Sequence, residues 1–171
     1  SKGRGLLTWL IFKKAPMQVF EAVCRSKLAE SLVNCQDQNL GLTALHVFGM
    51  APEDPQNLAY LQLLLSIRGI RILQGRDGSS ALHYCVQQDK CASAEVLLSS
   101  AGFTTDAIHY ENINGNTALL LAVHEFCTHP RHSETMVRLL LCRGSDPNRR
   151  SENLSGNPNS ALDMMFLETT G

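Results

Sequence analysis

The chain has 171 residues, of which 44% are hydrophobic and 18% charged, and its formal net charge is −1. That length and balance suit one domain with a proper apolar core. The near-neutral charge argues against a nucleic-acid surface, which needs a basic excess or stripe, and no run of 18 apolar residues offers a membrane span.

From the N-terminus, Ser1-Lys2-Gly3-Arg4-Gly5 is basic and the run from Leu6 to Phe12 is apolar. The run is too short for a signal peptide and lacks a small-residue cleavage site. It reads as a capping helix carrying Trp9, with 17–32 as its partner helix. Next comes a block, Gly41-Leu42-Thr43-Ala44-Leu45-His46, which returns as Gly78-Ser79-Ser80-Ala81-Leu82-His83 and as Gly115-Asn116-Thr117-Ala118-Leu119-Leu120. A fourth, partial copy is Ser160-Ala161-Leu162-Asp163. The alanines are spaced by 37, 37 and 43 residues. A period in this range marks a solenoid of stacked supersecondary units.

Each block predicts a turn, a Thr or Ser N-cap and then a helix. A second helix follows each time, over Leu61 to Leu65, Ala94 to Leu98 and 134–143. In the last of these, Met136, Val137, Leu140 and Leu141 recur at helical spacing. Helices of roughly 8–12 residues are marginal alone in water, so each must bury its apolar stripe against its neighbours. No alternating run of β-branched residues suggests a sheet. Segments 51–57, 103–111 and 128–133 read as extended loops, where insertions cost little. The expected units are 1–38, 39–75, 76–112, 113–150 and a partial 151–171 within a single domain. The sequence ends after one helix of the last unit, which suggests that a longer protein continues past it.

These blocks resemble the ankyrin repeat. Its pattern is a Gly-x-Thr-Pro-Leu-His turn and helix start, a Val-x-x-Leu-Leu second helix and a Gly-Ala-Asp-x-Asn exit. Segment 113–150 carries it best, from Asn114-Gly115-Asn116-Thr117 through Val137-Arg138-Leu139-Leu140-Leu141 to Gly144-Ser145-Asp146-Pro147-Asn148. Alanine stands where the family has proline, and all spacings exceed the family's usual period of about 33. The resemblance implies an all-α ankyrin-repeat solenoid with short hairpin-like turns. It also implies that His46 and His83 brace the turn of the adjoining unit, a brace that Leu120 and Asp163 lose.

The resemblance further implies a non-enzymatic protein-binding module working through its concave face. The turn tips there are Asn39, Leu40 and Leu42, then Arg76, Asp77 and Ser79, then Ile113, Asn114 and Asn116. The helix ends are Met50, Gln87, Gln88, His124 and Glu125. Apolar residues at exposed positions rimmed by polar ones suggest a protein partner. A looser similarity links 117–149 to the late repeats of the NF-kappaB inhibitors, which implies a regulator or adaptor in signalling or transcription control.

Other chemistry finds little support. His124, Cys127, His129 and His132 are four metal-ligand types within nine residues. However, Pro130 stiffens the loop, and structural zinc draws its ligands from two separated pairs. A metal- or redox-responsive protein using segment 124–132 stays as an alternative, as does a targeting domain of a larger enzyme. Walker, Rossmann and Gly-x-Ser-x-Gly motifs are missing. No catalytic residue, cofactor, metal ion, nucleic acid, membrane or small-molecule substrate is therefore expected. Six cysteines without scaffold spacing or Cys-x-x-Cys suit a reducing compartment, hence an intracellular protein, cytoplasmic or nuclear.

Overall fold

The computed structural model describes residues 5–129, 134–149 and 161. Its helices, in chain order, are α1 (Leu6–Phe12), α2 (Met17–Cys24), α3 (Ala29–Leu32), α4 (Ala44–Met50) and α5 (Pro55–Leu65). Then come α6 (Ala81–Gln87), α7 (Cys91–Leu98), α8 (Ala118–Thr128) and α9 (Glu134–Cys142). No strand occurs among the described residues, only an isolated bridge between Gln74 and Ser80 at a turn. The architecture is the all-α repeat stack that the sequence predicts.

The helices form two layers. α1, α4, α6 and α8 pack in series as the inner layer, and α2, α5, α7 and α9 as the outer one. The apolar stripes meet between the layers, where Phe20, Leu45, Leu61, Leu64, Leu82, Leu97, Leu119 and Leu140 are fully buried. The repeated alanine is why the inner helices approach so closely. Ala44, Ala81 and Ala118 are all buried, and so is Ala161 of the partial fourth block. Gly49 serves the same end. A Cβ there would stand 2.8 Å from the Ala81 carbonyl oxygen and 2.7 Å from Tyr84 Cβ.

Helix starts follow the capping chemistry read from the sequence. Thr43 and His46 form a reciprocal capping box, as do Ser80 and His83, and Thr117 accepts from the Leu120 N–H at 3.2 Å. Three expectations need correction. The partner helix over 17–32 is broken into α2 and α3 by a turn at 25–28. The loop 51–57 is shorter, because Asp54 caps α5 by accepting from the Asn57 N–H at 2.7 Å, with Pro55 in the first turn. Proline is favoured there because its missing N–H has no helical partner in any case. The loop 103–111 holds a 3-10 turn at Thr105–His109, which sinks Ala107 and Ile108 into the core. α8 runs on through Thr128 and ends at His129, residues 130–133 of the expected loop lie outside the described residues, and so does nearly all of 151–171.

Candidate functional site

The expected rim is built by three turns hung from one another. The N–H of Arg76 donates to the Leu40 carbonyl at 2.9 Å, and that of Ile113 donates to the Asp77 carbonyl at 2.8 Å. Gln36 Nε2 donates to the carbonyls of Gly41 and Gln74, while Gln74 Nε2 donates to those of Gly78 and Glu111. Two glutamines one repeat apart thus stitch each turn to the next. At the heart of the second turn Gly78 has φ +72°, and a Cβ there would lie 2.9 Å from both Asn112 Cα and the Glu111 carbonyl oxygen.

The two histidines act where the resemblance places them. His46 Nδ1 accepts from the Thr43 N–H at 3.0 Å, and Nε2 donates to the Ser79 carbonyl at 3.1 Å. His83 repeats this with the Ser80 N–H at 3.2 Å and the Asn116 carbonyl at 3.0 Å. Accepting through one nitrogen and donating through the other requires the neutral ring. Burial pushes both imidazoles below their ordinary value, against the opposing pull of the carbonyls they donate to. These are bracing residues, and Leu120 leaves the corresponding place in α8 without that bond.

Of the expected rim residues, Asn39, Leu40, Arg76, Ile113, Asn114, Met50, Gln87, Gln88 and His124 are exposed. Leu40 is 61% exposed and Ile113 67%, too much for residues covering their own loops. Asp77, Asn116 and Glu125 are half-buried with structural ties. Asp77 accepts from the Ser79 N–H and the Tyr84 hydroxyl. Burial works to raise its carboxyl, but these bonds outweigh it and hold the group below the usual range. Asn116 donates its N–H to Asn112 Oδ1, and Glu125 sits 2.8 Å from His129 Nδ1. Two expectations are corrected. Ser79 is buried, with its carbonyl given to His46, and Leu42 is buried as part of a groove floor. Arg76 is exposed, yet its guanidinium donates to the Gln38 carbonyl at 2.7 Å, which ties one tip to the tip before it.

The structure also gathers residues that the sequence reading left apart. Asn39, Leu40, Leu42 and Met50 line one groove with Thr8, Phe12, Asp37 and Val47, between α1 and α4. The groove continues past Phe12, Val47 and Met50 to Ile11, Lys14 and Pro52. The sequence offered only Phe12, read as part of the capping helix; in the structure it is 52% exposed. Nothing in the sequence marked Lys14. It closes α1 at φ +48°, where its N–H donates to Ile11 and that of Ala15 to Leu10, a helix end that ordinarily takes glycine.

Among the described residues no three His, Cys, Asp or Glu side chains converge to hold a metal ion, and His132 lies outside them. All six cysteines are thiols, and burial pushes Cys85 up to about 12. No described helix is long and apolar enough to cross a membrane. A family model for ankyrin repeats, in three copies, matches residues 50–151. No curated protein sequence matches the chain.

Proposed function

Since the chain belongs to the ankyrin-repeat family, we propose that it is a non-enzymatic module that binds a protein partner through its concave face. The observation that carries this reading is the pair of exposed apolar tips, Leu40 and Ile113, on a rim whose turns are tied to one another by backbone hydrogen bonds. A surface held rigid by its own hydrogen bonds and still presenting apolar side chains loses little entropy on binding. Stacked repeats form extended surfaces of this kind and contact partners across several units. Within that class the protein acts as a regulator or adaptor in signalling or transcription control inside the cell. The loose similarity of 117–149 to the NF-kappaB inhibitors favours the transcriptional side.

The test is capture of partners by the wild-type chain and by a Leu40→Asp/Ile113→Asp variant, with the thermal midpoint of both measured first. A partner held by the wild type and released by the equally stable variant supports the reading. A partner held equally by both would move the binding surface off the rim.

A further inference from the structure

Asparagine followed by glycine occurs once in the chain, at Asn114-Gly115 on the tip of the third rim turn. Such a pair is chemically labile. The backbone nitrogen of the second residue can close a five-membered ring on the side-chain amide carbon of the first, and glycine has no Cβ to obstruct that approach. Asn114 is exposed, and its side chain makes no hydrogen bond among the described residues. Gly115 follows at φ +76°.

The turn one repeat earlier shows what Asn114 lacks. Asp77 holds the same place there, before Gly78 at φ +72°. Its carboxylate is pinned by the Ser79 N–H and the Tyr84 hydroxyl. In the third turn the equivalent N–H, that of Asn116, is taken by Asn112 Oδ1 at 3.1 Å, and Leu121 stands 37 residues after Tyr84. Neither tie is left to hold the Asn114 side chain.

What restrains the reaction is the attacking nitrogen. Gly115 is buried and donates its N–H to the Asn112 carbonyl at 2.8 Å. The Asn112 N–H in turn donates to the Asn116 carbonyl at 3.1 Å, and His83 Nε2 grips that same carbonyl at 3.0 Å. The nucleophile is released only when this turn opens locally, and the His83 brace sets how often it does.

We propose that Asn114 is a site of spontaneous deamidation, gated by its turn and by the His83 brace. The Gly115 nitrogen gives up its proton and attacks Asn114 Cγ. An N–C bond forms, the Cγ–Nδ2 bond breaks, and the amide leaves with that proton as ammonia. Water opens the cyclic imide at either carbonyl to give aspartate or isoaspartate, and the acid proton passes to the ammonia. Amide and water thus become carboxylate and ammonium, with no change of oxidation state. The new carboxylate stands beside the exposed Ile113 without the ties that hold Asp77, so the tip gains an unpaired negative charge. An effect on partner binding rests on the concave-face reading; the chemistry does not.

Ageing the full chain in mildly alkaline buffer tests it, read by ion-exchange chromatography, peptide mapping and an isoaspartate assay. The thermal midpoint of every variant is measured first. The expected acidic species carries its change at Asn114, partly as isoaspartate, and builds up more slowly than in urea, where the turn is lost. Asn114→Gln, whose longer side chain closes no five-membered ring, should abolish it. His83→Leu should speed it severalfold. Asn112→Ala, which removes the acceptor of the Asn114 and Asn116 N–H groups, should do the same and serves if His83→Leu fails to fold. Conversion only in urea, or at another asparagine, overturns the site. Conversion at Asn114 in the folded chain at a rate that neither loosened variant changes overturns the gate. Aspartate without isoaspartate would mean direct hydrolysis and overturn the ring closure.

Discussion

The middle of the stack and its first unit solve the same packing problem with different means. In the middle, α4 and α6 each open with a capping box, each turn crosses over at a glycine, and each histidine ties its helix to the turn one unit on. The first unit has none of these. α1 starts at Gly5 without a side-chain cap, α2 starts behind Pro16, and Lys14 sits where a glycine would be free of strain. It is held instead by apolar contacts and by Tyr60, whose hydroxyl donates to the Ala15 carbonyl at 2.6 Å and whose ring meets Phe20 edge-on at 4.9 Å. Leu6, Trp9, Phe12, Val19 and Leu28 stay exposed there. Regular repeats hide their apolar surface from water by stacking. Where the pattern lapses, apolar surface is left over, and the groove lies at that margin.

The sharpest way to break this contrast is at the core. Leu64→Ala in the middle should cost about 2–5 kcal/mol by leaving a cavity. Leu28→Ala in the first unit, at 66% exposure, should stay within roughly 0.5 kcal/mol. Urea denaturation of both variants checks the pair, and similar losses would contradict the described burial.

Next in size is His83→Leu, which gives the middle the residue that α8 already carries as Leu120. It strands the Ser80 N–H and the Asn116 carbonyl, at a cost of about 1–3 kcal/mol. It should also change the response to acid. Both imidazoles titrate below their ordinary value near 6.5, so the unfolded chain takes up protons that the folded one refuses. Stability is therefore whole above about pH 6.5 and drains as pH falls, by up to about 1.4 kcal/mol per unit for each histidine. Thermal midpoints between pH 7.5 and 5 should fall about half as steeply in His83→Leu. An unchanged slope would mean that the ring titrates alike in the folded and the unfolded chain.

Two substitutions at left-handed positions should move in opposite directions. Gly78→Ala forces a Cβ against the next turn and should destabilise by about 1–3 kcal/mol. Lys14→Gly removes strain and should stabilise by about 1 kcal/mol. Calorimetry on the pair reads both signs, and a destabilised Lys14→Gly would show that the lysine holds the first unit together.

The smallest effect sorts the thiols. Cys142 is exposed and should react with a thiol reagent within the mixing period, whereas Cys85 is buried and pushed up to about 12. Cys85 should react only as fast as the stack opens. Prompt labelling of Cys85 in the folded chain would contradict its burial.

The repeat period and the caps were legible because short blocks recur along the sequence, whereas the histidine braces, which reach 33 residues into the next unit, followed only from the family resemblance those blocks carry. The tips were partly legible. Exposure at Leu40 and Ile113 follows from their place in the turn, but the burial of Leu42 and Ser79 depends on contacts with another unit. The groove was the least legible part. Phe12, Val47 and Met50 come from two helices, and only their packing brings them together. Neither the break between α2 and α3 nor the 3-10 turn that covers the core at Ala107 follows any period, so no spacing announced them.

The two histidine braces each reach 33 residues ahead. On a ribosome, His46 is made long before the carbonyl it must hold. At about 5–20 residues per second, the wait is about 2–7 s. During that time the ring has only its own capping bond, and the unit still to emerge supplies the other. The protein is therefore suited to assemble in the order of its synthesis, each unit closing one repeat behind the growing end. A pause in translation would hold the newest unit open and leave those before it shut.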